Sequence, residues 1–122
     1  MWDFTCPDTL APSHLNHSSQ AAGSAAAQAE ALKNTKYAEL VSSGDFIFAP
    51  IAIETLGVWG QSALDITAEI GRRVMQRTGE VRSLAFLRQR LGIAVQRGNA
   101  ASVIGTIPWE DTKTAASSDY LV

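Results

Sequence analysis

Four side chains suited to metal-assisted hydrolysis occur in the first third of the chain. Asp3 lies within a strand-like alternation, and Glu30, Lys33 and Tyr37 follow at spacings of three and four residues. Those spacings place the latter three on one face of a helix. Carboxylates are hard oxygen ligands that suit Mg²⁺, and an ammonium group can offset the charge that develops on a scissile phosphate. If the helix packs across the strand, we expect this face to turn toward Asp3.

Each of these residues also has a plain structural interpretation. A Glu–Lys pair at helical spacing is usually a solvated surface pair, and Asp3 would also suit the polar face of a half-exposed strand. Glu54 ends an apolar run. Because buried carboxylates are rare unless paired, Glu54 would be a salt-bridge partner, a strand-end cap or a third acidic group at the site. The residues alone leave these alternatives open.

Arginine is concentrated in the second half of the chain. Between positions 72 and 97 lie seven arginines and a single acidic residue, Glu80. Because arginine makes bidentate contacts with phosphate, this distribution predicts a nucleic-acid-binding surface. The alternative is a solvated helix face on which arginine stems cover apolar surface. The candidates for phosphate contact are Arg72, Arg73, Arg88, Arg90 and Arg97.

The elements that must position these residues alternate between strand and helix. The patterns predict a strand over 1–6, a loop over 7–19 and an alanine-rich helix over about 19–42. An apolar strand is predicted over 46–55, where Pro50 indicates an edge or a bulge, and helices follow over 61–79 and 80–105. This order predicts an α/β fold with an incomplete, layered β-α-β-α-α arrangement. Since two strands make a poor sheet, we expect further strands to come from a partner or from upstream sequence.

Length and composition narrow the class of protein. The chain has 122 residues, a net charge of −2 and one cysteine, which excludes an internal disulfide framework. It has no leader-like segment and no apolar run of about 18 residues, so we expect no membrane partner and an intracellular location, nuclear or cytoplasmic. The predicted organisation is one domain over 1–105, and a polar, unpatterned, disordered tail over 106–122.

Motifs spread over about residues 1–105 carry a resemblance to a known family. The segments WDFT, AEALKNTKY, FAPIAIETLG, EIGRRV and FLRQRLGIAVQRGNA resemble the C-terminal region that follows the reverse transcriptase in retrotransposon polyproteins. More broadly, they resemble the restriction-like endonucleases of non-LTR retrotransposons, in the PD-(D/E)xK superfamily. The resemblance implies a restriction-endonuclease-like core, a Mg²⁺ cofactor, DNA as partner and an upstream reverse transcriptase region.

The resemblance also implies roles for individual residues. Asp3 matches the strand carboxylate that holds the metal ion, and Lys33 matches the catalytic helix lysine. Glu30 stands in for the second acidic member. Lys36 and Tyr37 match the rest of the lysine–tyrosine signature and are expected to contact nucleic acid.

One family motif has no match in this chain. The family places a Pro-Asp ahead of the strand carboxylate, whereas only two residues precede Asp3, and Pro7-Asp8 follows the strand. We therefore expect an N-terminally truncated remnant of the nuclease with weak or no activity. The alternative is a non-catalytic module that binds nucleic acid or protein and uses the same helices as scaffold.

Overall fold

The computed structural model describes residues 1–106, and its centre is a two-stranded parallel sheet. Strand β1 (Trp2–Thr5) pairs with β2 (Ala49–Ala52) in the register Trp2↔Ala49 to Thr5↔Ala52. Three helices lie between the strands and two follow them, so the predicted α/β class is confirmed. The helices are α1 (Pro12–Ser18), α2 (Ser24–Lys36), α3 (Ala38–Ser42), α4 (Gln61–Thr78) and α5 (Ser83–Thr106).

The two faces of the sheet are covered by different helices. Successive side chains of a strand point to opposite faces. Asp3 points to α2, where it meets Lys33. Trp2 and Phe4 point the other way and border a groove formed with α4 and α5. The result is a three-layer arrangement with α2 on one face and the α4–α5 pair on the other.

The buried core between α2 and the sheet consists of small side chains. Ala26 and Ala29 of α2 contact Ala52 of β2, so the helix backbone lies close to the sheet. The α4–α5 crossing is equally tight, because a Cβ added at Gly71 would lie 2.8 Å from Leu84 Cβ. The fold is therefore held by close backbone approach as well as by burial of large side chains.

Several predicted boundaries were wrong. The single helix predicted over 19–42 is two helices, α2 and α3, because the chain leaves helical geometry at Tyr37 (φ −101°, ψ 8°). The predicted loop over 7–19 contains α1, whose first residue, Pro12, suits a helix start because its fixed φ is already helical. Strand β2 is shorter than the predicted 46–55, whereas α4 ends as predicted at Gly79, which has a positive φ of 74°.

The second half of the chain follows the sequence pattern closely. The last helix, α5, extends to Thr106, so the predicted tail over 106–122 lies outside the described residues apart from that position. Within residues 1–106, none of the helices combines the length and the apolarity needed to cross a membrane.

Candidate functional site

Three predicted site residues meet where β1 faces the C-terminal half of α2. The Lys33 ammonium donates to Asp3 Oδ2 at 2.5 Å, and the Tyr37 hydroxyl donates to the same oxygen at 3.1 Å. The side chains of Lys33 and Asp3 are 24% and 28% exposed, so the ion pair is partly accessible to solvent. We refer to Asp3, Lys33 and Tyr37 as the Asp3 centre.

The contacts within the Asp3 centre favour the charged forms of both Asp3 and Lys33. The hydrogen bond from Lys33 lowers the pKa of Asp3, partial burial opposes that change, and the Tyr37 hydroxyl and the charges of Lys33 and Lys36 lower it further. The hydrogen bond to Asp3 in turn raises the pKa of Lys33. Asp3 is therefore an anion and Lys33 a cation over the whole neutral range.

Aromatic contacts fix the Tyr37 ring. Tyr37 packs against Phe48, with ring centroids 4.6 Å apart and planes inclined by 45°. The Lys36 ammonium lies 5.2 Å from the centroid of the same ring, within the range of a cation–π contact. Phe48, just before β2, thus supports the centre, although the sequence analysis assigned it no role.

Glu30 is on the same helix as Lys33 but does not reach Asp3. Its buried carboxylate accepts the backbone N–H groups of Ser62 (3.2 Å) and Ala63 (3.1 Å) in the first turn of α4. These N–H groups have no partner within their own helix, and the helix dipole favours a negative charge beside them. Glu30 is therefore the N-terminal cap of α4, and Gly60 leaves room for its carboxylate, since a Cβ at that position would overlap Oε1.

Glu54 has the same role at a second helix. Its side chain, 1% exposed, accepts the Ala26 N–H and the Thr9 hydroxyl, each at 3.0 Å. Ala26 is in the first turn of α2. Glu54 therefore caps the start of α2 and not the end of its own strand, a role that the sequence analysis did not name.

The Asp3 centre offers one carboxylate oxygen to a metal ion. Both hydrogen bonds end on Oδ2, and Oδ1 accepts none from residues 1–106. Mg²⁺ is commonly bound by one or two carboxylates together with water and substrate phosphate, so Asp3 fits a single-carboxylate site. No group of three His, Cys, Asp or Glu side chains is gathered as a metal site in residues 1–106.

Two of the three arginines of α4 share one acidic partner at the surface. Arg72 and Arg73 both donate to Glu69, and these bonds lower the pKa of Glu69 to about 2. A phosphate contacting these guanidinium groups would compete with a carboxylate that is already in place.

The arginines of α5 divide into two kinds. Arg88 points inward and donates to Leu64 O (3.0 Å) and to Thr67 Oγ1 (3.2 Å), so it ties α5 to α4. Arg90 and Arg97 are exposed. All of these arginines are in the helical layer opposite α2, so the structure does not bring them together with the Asp3 centre.

Comparison of the chain with family models, with characterised proteins and with solved structures found no match in any of the three. The geometry of the side chains therefore carries the functional argument.

Proposed function

We propose that this chain is a remnant of a metal-dependent DNA endonuclease domain of the PD-(D/E)xK type, derived from a non-LTR retrotransposon and weakly active or inactive in this form. The supporting observation is the convergence of Asp3, Lys33 and Tyr37 on a single carboxylate oxygen. These are the strand carboxylate, helix lysine and tyrosine that the family resemblance brings together.

The chemistry proposed for the centre is hydrolysis of a phosphodiester. Asp3 would hold Mg²⁺ through Oδ1, and the bound ion would supply an acidified water and neutralise charge on the phosphate. The Lys33 ammonium, which donates to Asp3, would stabilise a phosphate oxygen as its charge increases. Tyr37 keeps the carboxylate oriented by donating to Oδ2.

Weak activity follows from the number of available acidic groups. Glu30 and Glu54 have their oxygens engaged at helix starts: those of Glu30 accept two backbone N–H groups of α4, and those of Glu54 accept the Ala26 N–H and the Thr9 hydroxyl. Releasing either one would leave buried N–H groups unpaired, at a cost of about 1–3 kcal/mol each. Of Asp3, Glu30 and Glu54, only Asp3 keeps a carboxylate oxygen that accepts no hydrogen bond from residues 1–106.

The proposal is tested by nicking of supercoiled plasmid DNA in Mg²⁺, with Mn²⁺ binding followed by calorimetry. We expect slow nicking, or none, together with Mn²⁺ binding that is lost in Asp3→Asn. Asp45→Asn removes an exposed carboxylate elsewhere and is the matched control. Mn²⁺ binding that is equal in the wild type and in Asp3→Asn would refute the assignment of Asp3.

A second candidate is a non-catalytic nucleic-acid-binding module. The observation that favours it is the exposure of Arg90 and Arg97 on α5, which lies on the face of the sheet opposite to the one that Asp3 points to. In that case DNA affinity would fall in Arg90→Gln and Arg97→Gln, with a smaller salt dependence, and would be unchanged in Asp3→Asn. Binding without Mg²⁺-dependent cleavage under any condition would favour the module over the nuclease.

A further inference from the structure

The two outer edges of the sheet differ in how they are protected. On β2, the Ala52 carbonyl accepts the Gly60 N–H at 2.8 Å, and Ile53 bridges to Trp59. Pro50 has no N–H to offer on that strand. A returning segment and a proline therefore block this edge, as sheet edges in monomeric proteins usually are.

Among residues 1–106, neither a returning segment nor a proline protects the outer edge of β1. The Met1 and Thr5 carbonyls accept N–H groups of Ala49 and Ile53, which places these odd-numbered residues on the side of β2. Since backbone groups alternate along a strand, the N–H and C=O groups of Trp2 and Phe4 face outward. Within residues 1–106, β2 is the one strand beside β1.

The open edge is continuous with apolar surface. Trp2 is 68% exposed and Phe4 is 41% exposed, although both are large aromatic side chains. Beside them lies a groove of about 320 Å³. A molecule that pairs with the edge would also cover this groove if it carried apolar side chains at every second position. The groove is lined by Trp2, Phe4, Ile51, Ile66, Thr67, Ile70, Leu87 and Leu91.

We propose that β1 pairs with β1 of a second copy of this chain, antiparallel, so that two sheets join into one of four strands. This interface is separate from the proposed endonuclease activity. The occupant that the edge requires is an extended segment with apolar residues at alternate positions, and β1 itself has that pattern at Trp2, Phe4 and Cys6. Pairing about a two-fold axis uses the same edge on both copies, so the assembly stops at a dimer.

The side chains select the register of this pairing. With the axis at Phe4, Phe4 lies opposite its own copy, Trp2 lies opposite Cys6 of the second copy, and Asp3 lies opposite Thr5 of the second copy. The outward N–H and C=O groups then meet in hydrogen-bonded pairs, and the aromatic rings cover the groove. The neighbouring register, with the axis at Asp3, sets two carboxylates directly against each other, which is unfavourable in a strand pair.

The first experiment measures molar mass by sedimentation velocity for the full 122-residue chain, from low micromolar to near millimolar concentration. We expect a monomer–dimer equilibrium that is weakened at least about tenfold in Trp2→Lys, because a lysine on an edge opposes pairing. Val81→Lys is the matched control, since Val81 is 78% exposed and lies away from β1. Far-UV circular dichroism checks that each variant is folded.

The second experiment fixes the register by cross-linking. In a Cys6→Ser background, Phe4→Cys places two thiols across the axis, and mild oxidation should give a covalent dimer far faster than Val81→Cys does. A chain that is monomeric throughout, that forms larger aggregates in place of dimers, or whose dimer persists in Trp2→Lys would overturn the proposal. Equal cross-linking of the two cysteine variants would overturn the register.

Discussion

Replacing Glu30 by alanine is the sharpest test of how this fold is held together. The substitution removes a buried carboxylate from the N–H groups of Ser62 and Ala63 at the start of α4. A hydrogen bond to a charged group contributes about 1.5–3 kcal/mol, and loss of an N-cap typically costs about 1 kcal/mol. Because the two bonds share one carboxylate, their contributions overlap, and we expect a loss of about 3 kcal/mol in the free energy of unfolding.

The measurement is urea denaturation followed by circular dichroism, in which the midpoint should fall while the slope m stays unchanged. Glu39→Ala, which removes an exposed carboxylate from α3, is the control and should change stability by no more than about 0.5 kcal/mol. If the two alanine variants were equally stable, the assignment of Glu30 as a structural cap would be refuted.

A double-mutant cycle with Gly60 isolates the contact itself. Gly60→Ala alone should be strongly destabilising, because the new Cβ would overlap Glu30 Oε1. In the Glu30→Ala background the three atoms nearest to the new Cβ are absent, so the loss in the double variant should be smaller than the sum of the two single losses by about 1–3 kcal/mol. Additive losses would contradict the close approach of Gly60 to this carboxylate.

Three further predictions follow from other contacts. Glu54→Ala should cost about 3 kcal/mol in chemical denaturation, because the buried Ala26 N–H and the Thr9 hydroxyl would both lose their acceptor; an unchanged midpoint would refute the buried cap. Gly71→Ala should destabilise the α4–α5 crossing by about 1–3 kcal/mol, whereas Gly92→Ala, with no neighbour within 4 Å, should stabilise α5 by up to about 1 kcal/mol; the reverse order in thermal melts would contradict the packing. The Asp3–Lys33 pair should stabilise the fold most between about pH 4 and pH 10. Because the pKa of Asp3 is lowered in the folded state, the stabilisation from its negative charge is lost as the pH falls below the ordinary value of 3.8. Because the pKa of Lys33 is raised in the folded state, the stabilisation from its positive charge is lost as the pH rises above 10.5. An unfolding profile of Lys33→Met that parallels the wild type at both extremes would show that the pair contributes nothing.

Local sequence signals were sufficient for the elements with strong periodicity. The glycine at position 79 and the regular apolar spacing predicted the extents of α4 and α5 to within a few residues. Pro50 indicated an edge or a bulge, and β2 is an edge strand of the two-stranded sheet. The break at Tyr37 could not be read from propensities, because it follows from the ring packing on Phe48 and bonding to Asp3, which are contacts distant in sequence.

The candidate site was predictable in part for the same reason. Helical spacing put Glu30 and Lys33 near one another, and the strand supplied Asp3, but spacing alone does not say which neighbour each side chain faces. A signal for the cap was nevertheless present. Glu30 follows a run of alanines whose members at 25, 26 and 29 are buried, and a carboxylate on such a face requires a partner.

The two carboxylate caps have a consequence for the order in which parts of the molecule open. Glu54, which follows β2, caps the start of α2, and Glu30, which lies within α2, caps the start of α4. Each helix start therefore depends on a residue 28 or more positions away. Amides in a first helical turn ordinarily exchange with solvent through fraying of the helix end. In this chain, the Ala26 and Ala63 amides should exchange with deuterium through one shared, global opening, and they should exchange at similar rates near neutral pH. The sheet and both helices would then behave as a single cooperative unit in native-state exchange.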